Sequence, residues 1–255
     1  MSLSALVLNT FRESLRDKLQ VNLLIFGLIM IGSSLLLSDL TLGERARIVL
    51  DIGLASMNLF GVLIAIFVGI GLVNREIDRR TLYVVLAKPV TRPTFLLGRY
   101  LGLLLTIAMN LVIMCAGLAG ILAYGAIPFA PDILKAVLLI MMEVTVVAAV
   151  ALLCSTFTST PTLGAIFTLS VWVIGHLTGD LKALGNKLPD PVLSWLLTGL
   201  YYVWPNLERF NIKGRVVYAL PVGAEEMTLT MGYGSLYTAL VLCAASFIFC
   251  RRDLK

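Results

Sequence analysis

The chain has 255 residues, 59% of them hydrophobic and only 14% charged, with a formal net charge of +5 and a mean hydropathy of +0.95. An ordinary soluble domain has about 25% charged residues, so this much apolar surface excludes a water-soluble core. The excess positive charge stands beside apolar runs and not in a separate basic domain, which points to anionic lipid headgroups and away from nucleic acid.

Residues 4–20, SALVLNTFRESLRDKLQ, put Leu8, Phe11, Leu15 and Leu19 on one helical stripe, with Arg12, Glu13, Arg16, Asp17 and Lys18 largely elsewhere. Such a stripe suits a helix lying along the membrane interface, or one packing on its own protein. The charged lead-in is too long and too mixed for a cleavable signal, so the first span is expected to stay attached.

Six apolar runs then follow, roughly 21–38, 52–73, 100–124, 134–157, 162–178 and 234–250. Each is close to or above the length of about 18 residues that a bilayer of roughly 30 Å asks of a helix. Inside lipid every backbone N–H and C=O needs an internal partner, and long runs without strict polar/apolar alternation favour helices over barrel strands. The expected fold is therefore an all-α integral membrane protein with six transmembrane helices, read as one domain over 1–255.

Arg12, Arg16, Lys18, Arg75, Arg79, Arg80, Lys88, Arg92, Arg99, Arg251, Arg252 and Lys255 all fall on one side of such a six-span chain. Most of the other basic residues lie in one long segment, which weighs little in the positive-inside rule. Both termini and the connection between spans two and three are thus expected in the cytoplasm. The second span is rich in glycine (Gly53, Gly61, Gly69, Gly71), and Gly98 and Gly102 make a GxxxG at the start of the third. Small residues of this kind let helices approach closely in lipid. Cys115, Cys154, Cys243 and Cys250 fall in or at the ends of spans with no CxxC pair, as small packing groups would.

The connection 74–99 is unusual. Glu76 meets Arg79 and Arg80 at i+3 and i+4, which supports a helix exposed to water, and Ile77, Leu82, Val85 and Leu86 give it an apolar side. Pro89 breaks it; Thr91 to Pro93 restart a helix that runs through Phe95, Leu96 and Leu97 into the third span. The expected result is a short helical elbow joined rigidly to two membrane helices.

Spans four and five are joined by a short uncharged turn with Pro161 as its breaker. Residues 179–233 then form a long extracytoplasmic segment. Asp190 before Pro191 is a good helix start and Pro205 a stop; between them Trp195, Tyr201, Tyr202 and Trp204 are side chains that favour the membrane interface. They read as an aromatic gate or an aromatic girdle at the outer leaflet.

Glu143 is the one acid well inside a span. A charge at a helix centre costs about 2.5–3.5 kcal/mol on insertion scales, so Glu143 should be neutral, paired or facing a wet cavity, with Asn58 and Asn110 as candidate partners. These three are the candidates for an intramembrane polar cluster or transport path. Lys135 is expected to snorkel outward. His176, the one histidine, reads as a hydrogen-bonded packing residue; a metal site of paired histidines is excluded. No GxxxxGK[ST] occurs, so the chain has no phosphate cradle of that type.

Taken together, Glu76, Thr81, Leu82, Leu86, Pro89, Arg92, Gly98 and Arg99 reproduce a pattern found between the second and third spans of the type-2 permease subunits of ATP-binding-cassette (ABC) exporters, and the chain resembles that family over nearly its whole length. It departs from the pattern at Arg80, where many members have Gly, and at Ala87, where a small hydroxyl residue is common. PNLERFN (205–211) is also similar to a stretch found at that place in some members. The resemblance implies that the elbow is a coupling helix docking into a separate ATPase subunit, with Glu76, Arg79, Arg80, Thr81, Leu82, Leu86, Pro89 and Arg92 as the coupling residues.

It further implies a non-catalytic transport subunit in a bacterial or archaeal cytoplasmic membrane, paired with a second permease copy as a homodimer or with a similar chain. ATP and Mg would be bound by the partner ATPase and no cofactor by this chain. Two other classes remain open at this stage. One is a proton-coupled carrier using Glu143. The other is an intramembrane enzyme built on Glu225 and Glu226, although the basic residue and histidines such a site needs are not beside them in sequence.

Overall fold

The computed structural model describes residues 3–39, 44–78, 91–158, 160–185 and 203–251, together with 192, 194, 195, 199 and 201. The described residues are all-α. In chain order the helices are α1 (Leu3–Leu15), α2 (Lys18–Asp39), α3 (Arg45–Asp78), α4 (Arg92–Tyr124), α5 (Pro131–Phe157) and α6 (Pro161–Gly185). A 3-10 turn over Leu207–Phe210, the short α7 (Lys213–Val217) and α8 (Ala224–Arg251) complete the fold. Six of them, α2 to α6 and α8, are long and apolar enough to cross a membrane.

The chain runs back and forth, so the start of α2, the end of α3, the start of α4 and the end of α8 share one end of the bundle, here called the terminal end. Residues 203–223 lie at the far end. In the apolar windows of α3 and α5, 67% of residues are buried, against 22% in α2 and α6 and 28% in α8. The axis of the fold is therefore the α3·α5 pair, with α4, α6 and α8 packed on α5 and α2 packed on α3. The outer helices leave rows of large apolar side chains uncovered, such as Ile25, Phe26 and Ile29 on α2 and Leu236 and Leu240 on α8. Lipid tails are as apolar as leucine, and such rows need no protein cover in a bilayer.

Helix ends follow local chemistry. Asp17 Oδ1 accepts from the Leu19 N–H (3.0 Å), which caps α2 and separates it from α1. Thr91 caps α4 through the Thr94 N–H, with a proline in the first turn, so the helix that restarts there runs on as the third span. α8 begins at Ala224, well before the apolar run at 234, because Glu225 and Glu226 suit a helix N-terminus. A hydropathy window registers only the apolar part of that helix.

The N-terminal helix differs from its sequence-based expectation. Helix α1 ends at Leu15, so Leu19 belongs to α2, and the packed face is Leu6, Thr10 and Ser14 while Leu8 and Leu19 are exposed. The reason lies on α4. A Cβ added to Gly98 would fall 2.9 Å from Leu6 Cβ, and one added to Gly102 would fall 2.5 Å from Thr10 Cβ and 2.8 Å from the Val7 carbonyl. So close a crossing of backbones seats Leu6, Thr10 and Ser14 against α4, and Leu8 is left exposed on the other face while Phe11 and Leu15 are half-buried. Arg99, next to Gly98, closes the contact with a 2.6 Å ion pair to Glu13 and a 3.4 Å bond to Thr10 Oγ1.

Replacing Gly102 with alanine must push α1 away from α4 and is expected to cost about 1–3 kcal/mol, as overpacking does. Gly120→Ala, where nothing lies within 4 Å of the new Cβ, is the control and should leave stability unchanged or slightly raised. Thermal unfolding of the two purified variants in detergent checks the difference.

Candidate functional site

The polar centre of the bundle is Glu143 on α5, whose side chain is fully buried. Three helices converge on its carboxyl group. From α3, Asn58 Nδ2 donates to Oε2 at 2.5 Å. From α6, Trp172 Nε1 donates to Oε1 at 3.0 Å, and His176 Nε2 stands 3.4 Å from the same oxygen. Trp172 and His176 are one helical turn apart, so both reach the same carboxyl. Their rings meet edge to face at 5.1 Å, and His176 Nδ1 bonds the Trp172 carbonyl at 3.1 Å.

The energetics explain the arrangement. A buried carboxyl without donors loses its hydration with nothing in return, and a hydrogen bond to a charged group contributes about 1.5–3 kcal/mol. Two donors on separate helices can offset the insertion cost of the charge, and they tie α3 and α6 to α5.

Of the residues singled out in sequence, Asn58 joins Glu143 and Asn110 does not. Asn110 Nδ2 donates to the Thr106 carbonyl of its own helix, 2.9 Å away. Lys135 pairs with Asp132 at 2.7 Å near the start of α5. Trp172 had drawn no notice in sequence, and His176 had no visible partner. A tryptophan and a histidine at i, i+4 on one apolar helix was the available signal, but its target lies on a different span.

At the terminal end, Arg92 Nη1 donates to the Phe249 and Cys250 carbonyls, both at 3.1 Å, at the last turn of α8. A cation there meets the negative end of the helix dipole. Phe95 stacks on Phe249 with centroids 6.3 Å apart. The start of α4 is thus fastened to α8 on one side and to α1 on the other. Of the other elbow residues, Arg79, Arg80, Thr81, Leu82, Leu86 and Pro89 lie outside the described residues, and Glu76 is described only as part of helix α3.

At the far end, residues 192, 194, 195, 199, 201 and 203 are helical, Trp195 is 77% exposed, and Tyr202 lies outside the described residues. Trp204 Nε1 donates to the Val171 carbonyl of α6 at 3.2 Å. The stretch after it forms a plug. Leu207 and Phe210 are fully buried, Gly175 of α6 leaves room for Leu207, and Gly234 of α8 for Phe210. Glu225 and Glu226 stand in the first turn of α8, where Arg215 reaches Glu226 at 2.6 Å. A basic partner is therefore at hand, brought in by α7, but both side chains of the pair are exposed and not in the bundle core.

These features define a class: a multi-pass helical membrane protein with one buried carboxyl holding its central helices together and a terminal end in which three helices are cross-tied. The chain matches the ABC-2 family transporter protein over residues 4–254 and belongs to that family. A comparison with curated proteins gave no match. Membrane components of this family are typically non-catalytic, and the family in general works with an ATPase partner.

Asn58→Ala removes a donor from a buried carboxyl and is expected to lower unfolding stability by about 1–3 kcal/mol. Asn110→Ala, which loses only a bond within its own helix, should cost less. Adding Glu143→Met to Asn58→Ala should recover much of the loss, because the acceptor left stranded is then gone. Thermal or denaturant unfolding of the three proteins in the same detergent measures it.

Proposed function

We propose that the chain is the membrane permease subunit of an ATP-driven exporter, coupled through its 74–99 elbow to a separate ATPase subunit that binds ATP and Mg. In this reading the terminal end faces the cytoplasm, and two copies form a homodimer around the substrate passage. The observation that carries it is the way the elbow is attached. α3 runs unbroken to Asp78 and α4 starts at Arg92, so both flanks are continuous with membrane helices.

Arg92 and Phe95 tie that start to α8, and Gly98, Gly102 and Arg99 tie it to α1. A displacement applied at the elbow would move α1, α3, α4 and α8 as one body. A loose basic loop would transmit nothing. Membership of the ABC-2 transporter family supports the same reading.

Under this proposal the coupling residues are Glu76, Arg79, Arg80, Thr81, Leu82, Leu86 and Pro89, which meet the ATPase, and Arg92, which passes the movement on to α8. The aromatic residues Trp195, Tyr201, Tyr202 and Trp204 form the outer gate. A second reading, a carrier driven by protons, draws on the contact between Glu143 and His176, two groups able to exchange a proton across 3.4 Å. Transport measured in vesicles with and without ATP separates the two.

Charge reversal at Glu76 or at Arg92, and replacement of Pro89, are each expected to lower transport per ATP hydrolysed by on the order of tenfold or more, with the bundle still folded by circular dichroism. Normal coupling in all three variants, reconstituted with the ATPase, would count against the elbow as the point of drive.

A further inference from the structure

The contacts of Glu143 and His176 count the protons between them. A carbonyl oxygen only accepts, so His176 Nδ1, 3.1 Å from the Trp172 carbonyl, carries a proton. The indole N–H of Trp172 and the amide N–H of Asn58 both donate to the carboxyl. A proton on Glu143 therefore has one placed acceptor among the described residues, His176 Nε2 at 3.4 Å. With no proton between them, a lone pair faces a carboxylate. With two, a donor faces a donor and the pair gains a net positive charge in an apolar core. One proton, held by the carboxyl, suits the site, because it leaves both partners neutral in an apolar core.

The charged and titratable surroundings sharpen the contrast between one proton and two. From α3 comes the uncharged Asn58, and from α6 His176 itself; α7 brings Lys213, whose positive field reaches the carboxyl. From α4 comes the Tyr100 hydroxyl, bonded to the Thr145 carbonyl at 3.0 Å. No other charged group among the described residues acts on Glu143. A second proton thus adds a cation where Lys213 already supplies positive potential. His176 is 22% exposed and the carboxyl fully buried, so protons arrive by way of the imidazole.

The turn of α6 that carries His176 also seats the far-end plug. The Val171 carbonyl holds Trp204, and Gly175 takes the 205–207 stretch so closely that an added Cβ would lie 2.8 Å from Leu207 Cγ and 2.9 Å from the Pro205 carbonyl. On its other side the plug is held by the Asn206 N–H on Tyr233 Oη at 2.9 Å and by Phe210 against Gly234. One helical turn thus binds Glu143 inward and residues 204–207 outward.

We propose that Glu143 and His176 form a one-proton site that keeps the segment 203–210 seated, and that binding of a second proton moves α6 and unseats it. The ligand is the proton, and the site acts as an acid-triggered release at the far end of the bundle.

The chain has a single histidine, so the full-length protein labelled with ring-15N histidine in lipid nanodiscs reports His176 alone. As the pH falls, the ring signals should pass from the Nδ1–H form to imidazolium. As the pH falls towards the midpoint of that titration, the hydrogen-exchange protection factors of 203–210 should fall by up to about tenfold per pH unit, the limiting slope for opening linked to one proton, while the centre of α5 keeps its protection. His176→Gln and Glu143→Gln should each abolish that slope.

Protection of 203–210 that stays constant as the pH falls to the midpoint of the histidine titration, a neutral ring with its proton on Nε2, or a slope that survives either substitution would overturn the proposal. Should a variant fail to assemble, the titration of the unaltered protein decides by itself. No ATPase or ATP is present, so failure here leaves the exporter reading standing.

Discussion

A carboxyl group cannot stand in hydrocarbon without donors, and the central helix of this protein carries one at its midpoint. Much of the bundle's arrangement follows from that constraint. Asn58 and Trp172 answer it from opposite sides, which fixes how α3 and α6 are turned relative to α5. Helices in lipid have no hydrophobic drive to associate, so a shared hydrogen-bonded acceptor does for this bundle part of what apolar burial does in water. The same arrangement is a liability if any donor moves, since the charge is then stranded. That sensitivity makes the cluster suited to a two-state element.

The two ends of the bundle are built differently. The terminal end is cross-tied by a glycine crossing, a stacked phenylalanine pair and two arginines that each find oxygen on another helix. Such contacts resist relative motion, which would suit the force-transmitting role proposed above. The far end rests on a short irregular plug lodged against two glycines. Irregular backbone is tolerated at membrane depth only where it is buried in protein, and here Leu207 and Phe210 provide that burial. It is held between one turn of α6 and the start of α8, and it also packs on α5.

In family terms these contrasts are coherent. In the exporter proposed above, a member of the ABC-2 transporter family would convey work from one end and alter access at the other. Stiffness is concentrated at the end where spans two and three are joined. Adaptable packing is concentrated where α6 meets the plug.

The sequence by itself determined the class of molecule. Hydropathy runs of membrane length predict six spans, and six helices of that kind are present. They were legible because apolar length is a local property that needs no knowledge of neighbours. The helix restart at Thr91 and the awkwardness of Glu143 were legible for the same reason: caps, prolines and buried charges are marked within a few residues. What only the tertiary structure decided was partnership. That Glu143 takes Asn58 and not Asn110, that Trp172 and His176 complete its shell, and that α1 buries Leu6, Thr10 and Ser14 while Leu8 stays exposed all depend on which faces meet. In a bilayer almost every face is apolar, so the usual inside-outside pattern carries little information, and the pairing of helices is set by close approach at glycines and by a few polar contacts between residues far apart in the chain.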